Sequence, residues 1–193
     1  MCLPGIKLDT INLCLSDKEK SLLKSLIGKK LSKIRHDPLD KFGDGTVYGK
    51  AELFLEDSVV MIDYDYSPYP LFGSQDDDHP RFFVKEIKES EATSALQNVE
   101  QIDVCIENRI EGVTLVEDDI EVEWDGKKDD AMFLTAILFK FLGHELGIQG
   151  DYMIPLLDIL EGTDIKNRLD KPGEEFDHDP ETKFKAKRNY INL

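Results

Sequence analysis

His144-Glu145 opens the H-E-x-x-H pattern, in which two imidazoles one helical turn apart grip zinc and the glutamate moves a proton. The second ligand would stand at position 148, which is Ile148, so the pattern fails. Gly49-Lys50 ends like a phosphate-binding loop, but Asp44 stands where glycine is needed and Ala51 where a magnesium-binding hydroxyl is needed. Asp63-Tyr64-Asp65 starts like a calcium loop. Its sixth position is Pro68 instead of glycine and its twelfth is Ser74 instead of glutamate. Asp76-Asp77-Asp78-His79 offers oxygen ligands, yet three adjacent carboxylates do not converge on one ion, and the stretch reads as a solvated loop. No G-x-S-x-G elbow is present. The histidines are His36, His79, His144 and His178; a pairing of one of them with Cys105 would exist only in space. With 40 acidic residues, some carboxylate pair always falls at a glycosidase-like separation, so none is informative. The sequence therefore assigns no catalytic residue, no metal site and no cofactor.

A recognition surface is the chemistry left. Tyr64, Tyr66 and Tyr69 stand among Asp63, Asp65, Asp76, Asp77 and Asp78. Tyrosines give rigid contact area, and carboxylates attract a basic partner. These eight residues form the expected partner surface.

The elements that must carry them are mostly strands. Residues 17–27 read as a helix, capped by Ser16 or Asp17, supported by Glu19 and ended by Gly28. Residues 37–45 read as a loop. Residues 46–66 alternate like two strands around a Glu56-Asp57-Ser58 turn. Pro68 and Pro70 exclude the following stretch from a central strand. Residues 73–80 read as a loop, 81–87 as a strand and 89–100 as a break with room for a short helix. Residues 101–124 alternate up to Trp124, and Asp125-Gly126 signals a hairpin. Residues 131–142 fit either a buried helix or a strand by periodicity. A faint repeat favours strands: Ala51-Glu52-Leu53-Phe54 resembles Ala136-Ile137-Leu138-Phe139, and Asp63-Tyr64 resembles Asp151-Tyr152. On that reading residues 136–150 form a hairpin turning near Gly143.

The fold expected is α+β: mainly antiparallel sheet, one N-terminal helix and two related β-rich units. The first unit spans 1–90 and the second 91–169, side by side or within one compact domain. A charged tail spans 170–193, and its basic end, Lys183 to Arg188, either stays solvated or folds back on the acidic middle.

The 193 residues are 40% hydrophobic and 33% charged, which excludes a disordered or collagen-like chain. Charge is uneven: +4 over residues 1–50, −17 over 51–130 and −3 over 131–193, for a net −16. The middle block repels nucleic-acid phosphates. Residues 131–142 are too short and too interrupted to cross a membrane as a helix. The N-terminus shows no apolar leader, and Cys2, Cys14 and Cys105 give neither C-x-x-C spacing nor an even count. A cytoplasmic location is expected.

Together these features point to a non-catalytic, acidic protein-binding module. Its most concrete form is an immunity or inhibitor protein that masks a basic toxin or nuclease. Two other classes stay open: a hydrolase-type enzyme with dispersed active-site residues, and a structural or assembly protein.

Overall fold

A computed structural model describes residues 11–38, 46–70, 78–96, 99–124, 127–152, 154–173 and 183–193. The fold is α+β, dominated by antiparallel strands, with one N-terminal helix. Strand β1 (Ile11–Leu13) is followed by helix α1 (Asp17–Ser25). Ser16 caps the helix as expected: its hydroxyl accepts the Glu19 N–H, and Glu19 accepts the Ser16 N–H at 2.8 Å. Gly28, at φ +91°, then turns the chain into the first sheet.

Four strands follow as a meander: β2 (Lys30–Pro38), β3 (Thr46–Leu55), β4 (Val59–Pro70) and β5 (Asp78–Ile87). A crossover returns the chain to β6 (Ile102–Arg109), which pairs with β2. The second half repeats the plan with β7 (Gly112–Trp124), β8 (Lys127–Phe141), β9 (His144–Gly150) and β10 (Leu156–Gly162). A second crossover leads to β11 (Lys183–Asn192), which pairs with β7. The strand orders are β6-β2-β3-β4-β5 and β11-β7-β8-β9-β10. The halves are joined where β10 pairs with the start of β3.

Several sequence readings need correction or refinement. Residues 131–141 are strand, and the hairpin turns at Leu142 and Gly143, the latter at φ +80°. The repeat is out of step with the fold. Leu53 and Ile137 face the main core, whereas Ala136 and Leu138 face the second crossover. Matching Ala51–Phe54 to Ala136–Phe139 is therefore a one-residue slip, which sends every side chain to the opposite face. The prolines are tolerated because β3 accompanies β4 only as far as Asp63; beyond it β4 has β5 alone. Lys183–Asn192 of the expected tail are β11, with Lys183, Lys185 and Lys187 in register with Glu123, Glu121 and Asp119. Opposite charges across an antiparallel pair favour that pairing over a solvated tail. The Gly43-Asp44-Gly45 part of the first loop, residues 71–77 of the second and the Asp125-Gly126 turn lie outside the described residues. Among the described residues, no helix is long and apolar enough to cross a membrane.

Both halves turn their inner faces to one core. Ile34, Leu53, Val60, Ile62 and Phe82 from the first half meet Leu115, Ile137, Phe139 and Ile148 from the second, and α1 adds Leu23 and Leu26. Each such burial contributes roughly 1.5–3 kcal/mol before the entropy of ordering is subtracted. Tyr64 fastens the halves: its ring covers Gly150 and its hydroxyl donates to the Asp151 carbonyl. A Cβ at Gly150 would lie 2.4 Å from Tyr64 Cζ. Gly150→Ala is expected to cost about 1–3 kcal/mol through overpacking, read as a lower urea midpoint. Adding Tyr64→Leu should recover part of that loss; strictly additive losses would show that the two residues do not meet.

Candidate functional site

Of the expected partner surface, the fold keeps Asp63 and Asp65 on one face of the sheet and sends Tyr66, by the same alternation, to the other. All three lie on β4, where alternation puts Asp63 and Asp65 on the outer sheet face. Asp63 is half-buried, Asp65 is exposed and Tyr66 is 45% exposed. Tyr64 is 3% exposed and stacks at 4.6 Å on Phe82, so it belongs to the core and not to a contact surface. A tyrosine between two outward aspartates has to point inward, which is why it leaves the cluster. Tyr69 lies on β4 and Asp78 starts β5, but their side chains, like all of Asp76 and Asp77, are outside the described residues.

Asp63 and Asp65 are poorly matched neighbours. Burial, and then the Asp65 charge, hold the Asp63 carboxyl above the ordinary aspartate range, against the pull of Lys85 and Lys50. A cation arriving beside them would offset the repulsion between the two carboxylates.

The rest of the outer face is a lattice of charges around Phe54. Asp103 on β6 binds Arg35 at 2.7 Å and also binds Lys33, and these hydrogen bonds hold its carboxyl well below the usual range. The Lys33 and Arg35 cations sit 4.6 and 4.8 Å from the centre of the Phe54 ring. Glu52, opposite Arg35, is fully buried. Lys50 Nζ lies 3.0 Å from one Glu52 oxygen, in charge contact but off the hydrogen-bonding direction, so neither oxygen receives a directed hydrogen bond. The crossover passes over this region: Lys50 donates to the Thr93 carbonyl, and Asp37 accepts the Ala95 N–H at 2.6 Å. Near its start a groove of about 670 Å³ opens between the β3–β4 turn and the end of β5.

Several residues with catalytic potential are engaged in structural contacts. Asp118 is fully buried and accepts from Arg188 Nε at 2.8 Å, Arg188 Nη2 at 2.6 Å, Thr135 at 2.8 Å and the Tyr152 hydroxyl. Burial, and then Asp118, push the Tyr152 phenol well above its usual range. Burial alone would lower Arg188, but the hydrogen bonds and charge of Asp118 overcome it and raise the guanidinium. His79 Nδ1 lies 3.1 Å from the Tyr152 carbonyl, and His144 stacks on Phe141 at 4.7 Å. Burial, and then Glu117, push the Cys14 thiol up to about 12, which leaves it inert at neutral pH, whereas Cys105 is exposed on β6. Among the described residues no three His, Cys, Asp or Glu converge as a metal site.

Sequence reading missed Glu52 and Asp118, because charged residues on alternating strands look solvated until a crossover or another strand covers them. The basic run at 183–188 was the one available signal for a partner of Asp118.

Arg188→Ala removes one partner of a buried pair, and about 3–5 kcal/mol of stability should go with it in chemical unfolding. Arg188→Lys should recover only part, since the two-pronged geometry is lost. Asp63→Asn should raise the melting temperature at pH 7. A carboxyl whose folded pKa is raised disfavours folding once ionised, so the gain should vanish below the unfolded aspartate pKa, where both states are protonated. An equal gain at acid pH would contradict this origin. The chain matches no family model, no curated protein and no solved structure, so the role of the site rests on these residues themselves.

Proposed function

We propose that the chain is a non-catalytic, acidic protein-binding module acting in the cytoplasm on a basic partner. In its most concrete form it is an inhibitor or immunity protein that masks a toxin or nuclease. One observation carries the reading: the excess of acid, 40 Asp and Glu against 24 Lys and Arg, much of it exposed. Many of the cations among the described residues are paired with acids of the chain itself. The β11 lysines and Arg188 lie along the acids of β7, Lys29 binds Asp57, Lys30 binds Glu107, and Lys33 and Arg35 bind Asp103. Exposed acids remain on both halves: Glu56, Asp65, Glu86, Glu89, Glu91 and Glu100 on the first and its crossover, and Glu111, Asp119, Glu121, Asp130, Glu161 and Asp164 on the second.

Such a surface steers a basic protein and raises its association rate by roughly one to three orders of magnitude at low salt. Contact then excludes water around the Asp63 and Asp65 carboxylates, and Tyr66, 45% exposed at the next position of β4, offers an aromatic contact at the strand's opposite face. Masking would come from occlusion of the partner's cationic cleft.

The test is affinity capture at low salt from the lysate of its own host, elution by a salt gradient, and assay of whatever is released. A basic protein whose activity falls on stoichiometric addition of the chain is the expected result. Asp63→Asn with Asp65→Asn should slow its association and flatten the salt dependence. No basic protein at any salt, or one whose activity is untouched, would sink the reading.

A further inference from the structure

The two halves share a strand order but differ in how their crossovers meet the outer sheet face. In the second half the crossover fills that face. Ile165 and Leu169 are buried on Val116, Ala136 and Leu138. A Cβ on Gly147 would lie 2.8 Å from Ile165 Cγ2, so only glycine leaves room for the isoleucine. Glu145 accepts the Ile165 N–H at 3.1 Å, and the cleft left at the β8–β9 turn holds about 280 Å³.

In the first half the corresponding segment, Glu89–Glu91, buries no residue. Between it and the β3–β4 turn lies the groove of about 670 Å³. Phe54, Val59 and Ile87 make its apolar floor, and the exposed Glu56, Glu86 and Glu89 stand on its rim. The cations beside it are mostly engaged: Lys33 with Asp103 and Lys29 with Asp57, leaving Lys88 exposed at the edge.

We propose that this groove is the seat for a short segment of the basic partner, with an apolar side chain on the floor and lysine or arginine against the rim. The inference rests on the protein-binding reading above and gives it a location. Charge complementarity argues for the cation. The second half argues for the apolar anchor: the segment covering its outer face sets Ile165 and Leu169 beside the cations Lys166 and Arg168. The groove lies at the start of β4 and the Asp63–Asp65 pair near its middle, about 13–20 Å apart at the rise of a strand, so one partner could engage both.

The test uses the intact chain and a fluorescently labelled octapeptide of alternating lysine and leucine. A second peptide, with serine in place of leucine, carries the same charge. Two double variants are compared, each checked for native circular dichroism: Glu86→Lys with Glu89→Lys at the groove, and Glu121→Lys with Glu161→Lys on the second half. The lysine–leucine peptide should bind at least about tenfold tighter than the lysine–serine peptide. The groove variant should lose about tenfold and the distant variant less than about twofold. Equal losses from the two variants, or no preference for leucine, would overturn the groove while leaving a generally acidic binding surface in place. No peptide binding would also overturn the groove, and the protein-binding reading would then stand or fall on the capture experiment alone. Self-association of the chain that blocks the peptide would assign the groove to a second copy and overturn the proposal.

Discussion

One edge of β3 serves two partners, and the rest of the architecture depends on that fork. Its first residues, Thr46 to Tyr48, pair with β10, and Lys50 to Phe54 pair with β4. Gly49 sits at the split. Its N–H donates to the Pro155 carbonyl at 3.0 Å, its φ is +23°, and a Cβ there would lie 2.8 Å from the Tyr64 carbonyl oxygen. Two strands can leave one edge only if their backbones come this close and then diverge. The divergence turns the second meander across the first and places both inner faces on one core. Strand β8 forks similarly, between β1 at Ala131–Phe133 and β9 at Ala136–Phe141.

Because the inner faces meet each other, the outer faces are where the halves can differ. The second half closes its outer face with apolar residues of its own crossover and with the Asp118–Arg188 pair. A buried ion pair costs desolvation that only dense hydrogen bonding repays, and Asp118 has that from Arg188, Thr135 and Tyr152. The first half keeps a charged outer face instead. Glu52 is buried without a directed hydrogen bond, Asp63 stands against Asp65, and the crossover contributes backbone groups in place of apolar side chains. The second half thus satisfies its buried charge, while the first leaves Glu52 and Asp63 poorly matched. A binding surface needs that kind of imbalance, since groups fully satisfied within the fold have little to gain from a partner.

Local chemistry made much of this legible in the sequence. The α1 cap, the Glu56–Ser58 turn, the Gly143 turn and the alternation of β7 each depend on neighbours within a few residues. The reading of a β-rich fold with one N-terminal helix holds for that reason. The repeat pointed to strands where periodicity alone was ambiguous, but its alignment slipped by one residue, since composition is similar on both faces when both are covered. The tyrosine–aspartate cluster came apart because sequence proximity says nothing about which face a side chain takes.

Residue identity and short-range spacing set the helix, most of the strands and turns and the overall acidity, but left residues 131–142 and the C-terminal stretch open. Tertiary structure alone decided which charges are spent. Whether β11 lies on β7, whether Glu52 is covered, and whether a crossover fills its sheet face depend on contacts between segments far apart in the chain. Desolvation and Coulomb energy there follow from what covers a group, and a charged residue carries no local sign of being covered.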